Sequence, residues 1–222
     1  MSEHRRFKNT LYEQLARIGK AVSSPRRLEL LDLLCQAPRT VEALAKEANQ
    51  TIANASQHLK VLRAARLVEA EKAGLFVTYR LAEPEVGDFY RALRLLAESR
   101  LADIERILRL YLNSSEPMEA LDRNALRERV ARGEVTVLDV RPVEEYEAGH
   151  IPGALSVPLK ELESRLERLP RDQEIVAYCR GPYCLFAAEA VERLRAHGFQ
   201  ARRLEDGVFD WRAHGFPIER PR

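Results

Sequence analysis

Cysteine is scarce: three in 222 residues, at positions 35, 179 and 184. An odd count at such spacing does not make the disulfide framework of a small secreted protein. Apolar residues never run for the roughly 18 positions that a membrane span requires. The start of the chain, Met1-Ser2-Glu3-His4-Arg5-Arg6-Phe7, has no apolar stretch of the signal-peptide kind. The expectation is a cytoplasmic protein with no membrane partner. Its cysteines are then either small packed hydrophobes or reactive thiols. Strong net charge is absent as well, at +2, yet the charge is unevenly spread. Residues 1–113 hold 19 Lys and Arg against 14 Asp and Glu, and residues 114–222 hold 17 against 20. The sign of the first half suits a module lying near phosphates, and ordinary scatter accounts for it equally well. No internal repeat and no low-complexity tract breaks the chain.

What is present divides in two. The first half reads as helix almost throughout. A helix over residues 5–21 carries Leu11, Leu15, Ile18 and Val22 on one stripe. Ser24-Pro25 caps a second helix, 26–36, with Leu28, Leu31, Leu34 and Cys35 facing inward, and Pro38 ends it. Thr40 caps a third, which buries Val41, Leu44, Ala45 and Ala48. A turn at Asn49-Gln50 leads into a helix over 52–64. Two strand-like runs within 68–81 flank Lys72-Ala73-Gly74 and predict a β-hairpin. Pro84 opens one long last helix, to about Tyr111, with Phe89, Leu93, Leu96, Leu101, Ile104, Leu108 and Leu112 along it. Asn113-Ser114-Ser115-Glu116-Pro117 reads as a helix stop and a polar linker. The domains expected are 1–113, a linker at 114–117, and 118–222.

Helix, helix, short turn, helix and hairpin make a mainly α winged helix-turn-helix. The run Ser56-x-His58-Leu59-x-x-Leu62-x-x-Ala65-x-Leu67-Val68, the Tyr79-Arg80-Leu81 end of the wing and the flanking helices resemble the ArsR family of bacterial repressors. The resemblance covers about residues 10–112. It implies a homodimer that uses the first and last helices as its interface and binds double-stranded operator DNA. A recognition helix offers short polar side chains near its start to base edges. Thr51, Asn54, Ser56, Gln57 and His58 supply them, with His58 equally readable as a core or capping residue. Lys60 and Arg63 lie further along, suited to phosphate, and Lys72, Tyr79 and Arg80 sit on the wing. The plain alternative is a solvated polar face. Metal-sensing relatives carry a Cys-x-Cys pair on the helix before the recognition helix, where this chain has Val41-Glu42-Ala43-Leu44. No metal or other cofactor is implied. Cys35 stands alone, so this half cannot form the disulfide of some sulfide-responsive relatives.

After residue 117, short apolar runs alternate with helical ones, which predicts an α/β parallel sheet. Val135–Arg141, Glu174–Tyr178 and Ala201–Leu204 read as strands, and 184–197 as a helix stopped by Gly198. Leu138-Asp139-Val140-Arg141, Glu145-Tyr146-x-x-Gly149-His150-Ile151-Pro152-Gly153-Ala154 and Gly207-x-x-x-Trp211-x-x-x-Gly215-x-Pro217 resemble the rhodanese domain, over about 118–219. Asp206 stands where that family often has a second glycine.

The resemblance makes Cys179 the sulfur-accepting nucleophile. Its place at the carboxyl end of a parallel strand, ahead of a helix start, predicts a lowered thiol pKa. The loop amides of Arg180, Gly181, Tyr183 and Cys184 would hold a persulfide anion. Related phosphatases need an arginine six residues after the cysteine, where this chain has Leu185, so phosphatase and arsenate reductase chemistry is rejected. Efficient sulfurtransferases end the loop with an arginine. Here Cys184 takes that place and leaves Arg180 as the loop's cation, so thiosulfate turnover is expected to be weak. Cys184 is either a second, resolving thiol or a packed helix-start residue. Two functions follow: a repressor that senses sulfane sulfur through Cys179, or a sulfurtransferase localised or dimerised by its helical half. A metal sensor would need ligands that the sequence does not supply.

Overall fold

Ser2 and the residues after it start helix α1 (Glu3–Val22) by a side-chain cap on the Arg5 amide. In the computed structural model, residues 2–74, 76–112 and 121–221 are described. The expected linker 114–117 lies outside them. The packing divides the chain into two units, Met1–Leu96 and Ala97–Arg222.

In the first unit α2 (Pro25–Gln36), with proline in its first turn, is followed by α3 (Val41–Glu47) and α4 (Ile52–Ala64). Thr40 and Thr51 each cap the next helix with the side-chain hydroxyl. The turn between α3 and α4 is held by Asn49 at φ 48°, a left-handed conformation that asparagine tolerates. The Gln50 amide there donates to the Ala45 carbonyl at 2.8 Å. Leu30, Leu31, Leu33 and Leu34 of α2 are buried together with Leu44 of α3 and Ala55, Leu59 and Leu62 of α4. Leu28 and Cys35, expected inside, are half-buried.

The hairpin is present as β2 (Val68–Ala73) and β3 (Phe76–Leu81). Lys72 and Ala73 belong to the strand rather than the turn, which tightens onto Gly74 at φ 61°. A two-residue strand, β1 (Arg39–Thr40), which the sequence did not announce, pairs with β3 and makes it the central strand of an antiparallel β1-β3-β2 sheet. This is a winged helix-turn-helix.

The single long helix expected from Pro84 is two, α5 (Pro84–Arg100) and α6 (Ala102–Leu112). Leu101 ends one and starts the next: its amide donates to Ala97 and its carbonyl accepts from Ile104. Arg100 in the last turn of α5 and Asp103 and Glu105 in the first turn of α6 each favour a helix end there. No described helix is long and apolar enough to cross a membrane.

The second unit continues with α7 (Arg123–Ala131), β4 (Val135–Asp139), α8 (Val143–Ala148) and β5 (Leu155–Ser156). A short helix α9 (Leu162–Arg165) leads to β6 (Glu174–Tyr178), α10 (Phe186–Ala196), β7 (Ala201–Arg203) and α11 (Val208–Ala213). The strands form one parallel sheet in the order β5-β4-β6-β7. Alternation along β6 sends successive side chains to opposite faces. Ile175, Ala177 and Cys179 join one core with Ala190, Val191 and Leu194 of α10. Val176 and Tyr178 join another with Leu126 of α7 and Trp211 of α11. The sheet is thus covered on both sides, as parallel sheets are.

Candidate thiol site and nucleic-acid interface

Cys179 follows directly on β6, inside the core on the α10 side and only 3% exposed. The chain after it closes a turn, with the Cys184 amide donating to the Gly181 carbonyl at 3.1 Å. Gly181 has φ 129°, a left-handed value that side chains rarely adopt. The turn brings Cys184 back onto Cys179: the Cys179 thiol lies 3.2 Å from the Cys184 carbonyl oxygen, and the two thiols share a hydrogen bond. Cys184, half-buried, precedes α10, which starts at Phe186 rather than at 184. The amides facing the Cys179 sulfur are those of Gly181 and Ala187, and those facing the Cys184 sulfur are Arg180 and Phe186. The Cys184 amide, expected in the cradle, is committed to Gly181 instead. The Tyr183 side chain is exposed.

The acidities of the two thiols reverse the expectation. Burial pushes the Cys179 thiol up, and the hydrogen bond it gives to Cys184 keeps its proton in place. Cys184 is lowered to about 7, first by that hydrogen bond, then by the Arg180 and Phe186 amides and the Arg180 guanidinium, against the opposing effect of burial. The pair therefore holds a thiolate on Cys184 beside a protonated Cys179 near neutral pH. Alkylation by iodoacetamide is expected to strike Cys184 first, with a rate that rises through a midpoint near 7. Peptide mapping after brief labelling across pH checks this. A midpoint at the ordinary thiol value of about 8.5 contradicts it.

Arg180 is held by a partner the sequence did not indicate. Its Nε and Nη2 donate to the same Glu145 carboxylate oxygen at 2.8 and 2.6 Å. Glu145, fully buried on α8, also lies 3.8 Å from the Arg141 guanidinium. Arg141 in turn binds Asp139 at 2.6 Å and the Gly149 carbonyl at 2.8 Å, and Tyr178 donates to Asp139 at 2.6 Å. Two carboxylates and two guanidiniums thus alternate in the interior behind the loop. Removing one member leaves a buried charge uncompensated. Glu145→Ala is expected to cost about 3–5 kcal/mol, visible as a lower melting temperature. An unchanged melting temperature speaks against this role for Glu145.

Gly207 completes the loop from outside its own segment. A Cβ there would lie 2.4 Å from the carbonyl carbon and oxygen of Arg180 and 2.7 Å from the Gly181 nitrogen. Only hydrogen fits at that approach.

On the nucleic-acid side, α4 turns Ala55, Leu59 and Leu62 inward and leaves Asn54, Gln57, Lys60 and Arg63 exposed. Ser56 and His58 are half-buried at the edges of that face. Thr51 is exposed, but its hydroxyl caps the helix by accepting from the Asn54 amide at 3.2 Å. The Asn54 side-chain amide donates to Gln50 at 3.3 Å. Ile52, which sequence reasoning passed over, is 52% exposed at the start of the helix, where an apolar side chain suits a thymine methyl group.

On the wing Lys72 is exposed, and Arg80 pairs with Glu69 directly across the hairpin. An exposed pair of this kind is weak enough to yield to a phosphate. Tyr79 does not belong with them. It is 8% exposed, between Arg39 of β1 and Ala70 of β2 in the register of the sheet. Its ring is part of the wing's packing.

Comparison with known proteins fits both halves. Residues 24–70 match the model of the bacterial regulatory protein arsR family, and residues 122–214 match that of the rhodanese-like domain. The HTH-type transcriptional regulator Rv0324 of Mycobacterium tuberculosis is 43% identical over 212 residues, 96% of this chain and 93% of its own. A sulfurtransferase of Allochromatium vinosum is 32% identical over 102 residues, 46% of this chain and 94% of its own. Among solved structures, the homodimeric winged helix-turn-helix domain of Mb0332 from Mycobacterium bovis is 37% identical. That match covers 46% of this chain and 91% of the domain, at a TM-score of 0.42.

Proposed function

Because the chain belongs to the ArsR family of bacterial regulatory proteins and carries a rhodanese-like domain behind its DNA-binding one, we propose that it is a cytoplasmic transcriptional repressor that senses sulfane sulfur. In this reading residues 1–113 bind operator DNA as a homodimer and residues 118–222, beyond the linker 114–117, accept sulfur as a persulfide on Cys179. The observation that carries it is the thiol pair at the end of β6, in an amide-lined turn, on the same chain as the exposed polar face of α4. The exposed apolar side chains of α1 (Phe7, Leu11, Tyr12 and Leu15, the last 59% exposed) favour a dimer that covers them. A difference of about 1–3 kcal/mol between the sulfur states in operator binding gives a 5- to 150-fold switch.

The donor follows from Arg180. Its charge is balanced by Glu145, so it offers little to dianionic thiosulfate. A persulfide or polysulfide, which needs no fixed cation, is the favoured donor. The second reading, a sulfurtransferase first, draws on the likeness of the C-terminal half to a sulfurtransferase. Cyanolysis separates the two. The sensor reading expects Cys179 to load from polysulfide while thiosulfate-to-cyanide turnover stays close to background. Rapid thiosulfate turnover that is indifferent to DNA supports the enzyme reading instead.

A further inference from the structure

A persulfide formed on Cys179 does not sit alone. The turn that returns through Gly181 brings Cys184 back onto it, with the Cys184 carbonyl oxygen 3.2 Å from the Cys179 sulfur and the Cys184 amide held by the Gly181 carbonyl. Cys179 is enclosed, whereas Cys184 is half-buried at the start of the turn into α10. Cys184 is the chain's own thiol beside the inner sulfur of a Cys179 persulfide, and its carbonyl oxygen lies 3.2 Å from that sulfur.

We infer that Cys184 resolves the Cys179 persulfide, expelling sulfide and closing a Cys179–Cys184 disulfide. The inference rests on the persulfide reading above and adds a second state to it. In the first step Cys179 takes the outer sulfur of a low-molecular-weight persulfide, R–S–SH. The S–S bond of the donor breaks, and its thiolate leaves with the Cys179 proton as R–SH. In the second step the Cys184 thiolate attacks the Cys179 Sγ, the S–S bond of the persulfide breaks, and HS⁻ leaves. The two cysteines are oxidised together by two electrons, and the sulfane sulfur is reduced to sulfide. No further oxidant is needed.

A thiolate whose pKa lies close to ambient pH is the best attacking group in such exchange, and Cys184 at about 7 meets that condition. The closure asks for a Cα separation of roughly 4.4–6.8 Å, and the turn already brings the Cys184 carbonyl oxygen to 3.2 Å from the Cys179 sulfur. The site then reports a pulse of sulfane sulfur as a disulfide that outlasts the donor.

The experiment uses the full chain in a Cys35→Ser background, so that the pair is the chain's remaining thiol content. Reduced protein receives one equivalent of cysteine persulfide, and intact mass and released sulfide are followed together. The expected result is a transient gain of one sulfur atom, then a loss of two hydrogens relative to the reduced chain with one sulfide set free. Cys184→Ser keeps the added sulfur on Cys179 and frees no sulfide. If the parent chain and Cys184→Ser both gain sulfur and hold it equally long, resolution by Cys184 is overturned while the persulfide reading stands. Sulfur found on Cys184 without released sulfide also overturns it. If neither chain gains sulfur, both readings fail.

Discussion

Gly207→Ala is expected to slow the proposed sulfur uptake at Cys179 by about 100-fold, the scale of loss that a misplacement of about 1 Å produces in a reacting group. The backbone of Gly207 itself is ordinary, at φ −96° and ψ 178°, so conformational strain is not the cause. The obstacle is the approach. An added Cβ meets the Arg180 carbonyl carbon and oxygen at 2.4 Å and the Gly181 nitrogen at 2.7 Å, all backbone atoms that cannot rotate away. Relief requires the loop to move, and with it the Gly181 amide that faces the Cys179 sulfur and the turn that holds Cys184. Overpacking of this kind costs about 1–3 kcal/mol, so stability also falls, though the chain folds. Gly133→Ala is the control. Gly133 has φ 66° but nothing within 4 Å of its Cβ position, so it loses roughly 1–2 kcal/mol to strain and leaves the thiol pair alone. Equal sulfur uptake by the two variants would remove Gly207 from the account of the loop.

The second large effect lies on α4. Asn54→Ala and Gln57→Ala are each expected to weaken operator binding by about 1–3 kcal/mol and to relax base preference at the positions they face. Both side chains are exposed on the helix, so their loss leaves the core formed by Ala55, Leu59 and Leu62 untouched. The Asn54 amide nitrogen, which takes part in the Thr51 cap, is a main-chain group and survives the substitution. Lys60→Ala behaves differently. It weakens binding to all sequences alike and lowers the salt dependence by about one phosphate contact. Titration of labelled operator and scrambled duplexes at several salt concentrations separates the two classes. If Asn54→Ala and Gln57→Ala bind the operator as the parent does, α4 is not the reading helix.

Much of this arrangement is legible in the residues because it depends on short-range rules. Threonine caps, the inward spacing of Ala55, Leu59 and Leu62, and a proline in the first turn of α2 mark the helices. The apolar run that ends at Cys179 marks β6 and carries the proposed sulfur-accepting position with it. What escaped depends on neighbours distant in sequence or on fine competition. Tyr79 looks like an exposed wing residue until β1, only two residues long, pairs with β3 and encloses it. The break at Leu101 has no glycine or proline to announce it. Glu145 and Arg180 are 35 positions apart, and no local pattern joins them. The order of the thiol acidities is not legible either, because helix-start amides alone favour a low pKa at Cys179 and burial opposes them. Cys179 is enclosed deeply enough for burial to dominate, and its proton then lowers its neighbour.

In the proposed function the sulfur state of Cys179 alters DNA affinity. The most direct measurement is the affinity of the purified chain for its own promoter DNA by fluorescence anisotropy, for reduced protein, polysulfide-treated protein and Cys179→Ser. A change of about tenfold or more is expected on polysulfide treatment, a coupling of about 1.4 kcal/mol, that vanishes in Cys179→Ser. Tight binding that is the same in all three samples would contradict it, leaving a constitutive DNA binder joined to an independent sulfur-transfer domain.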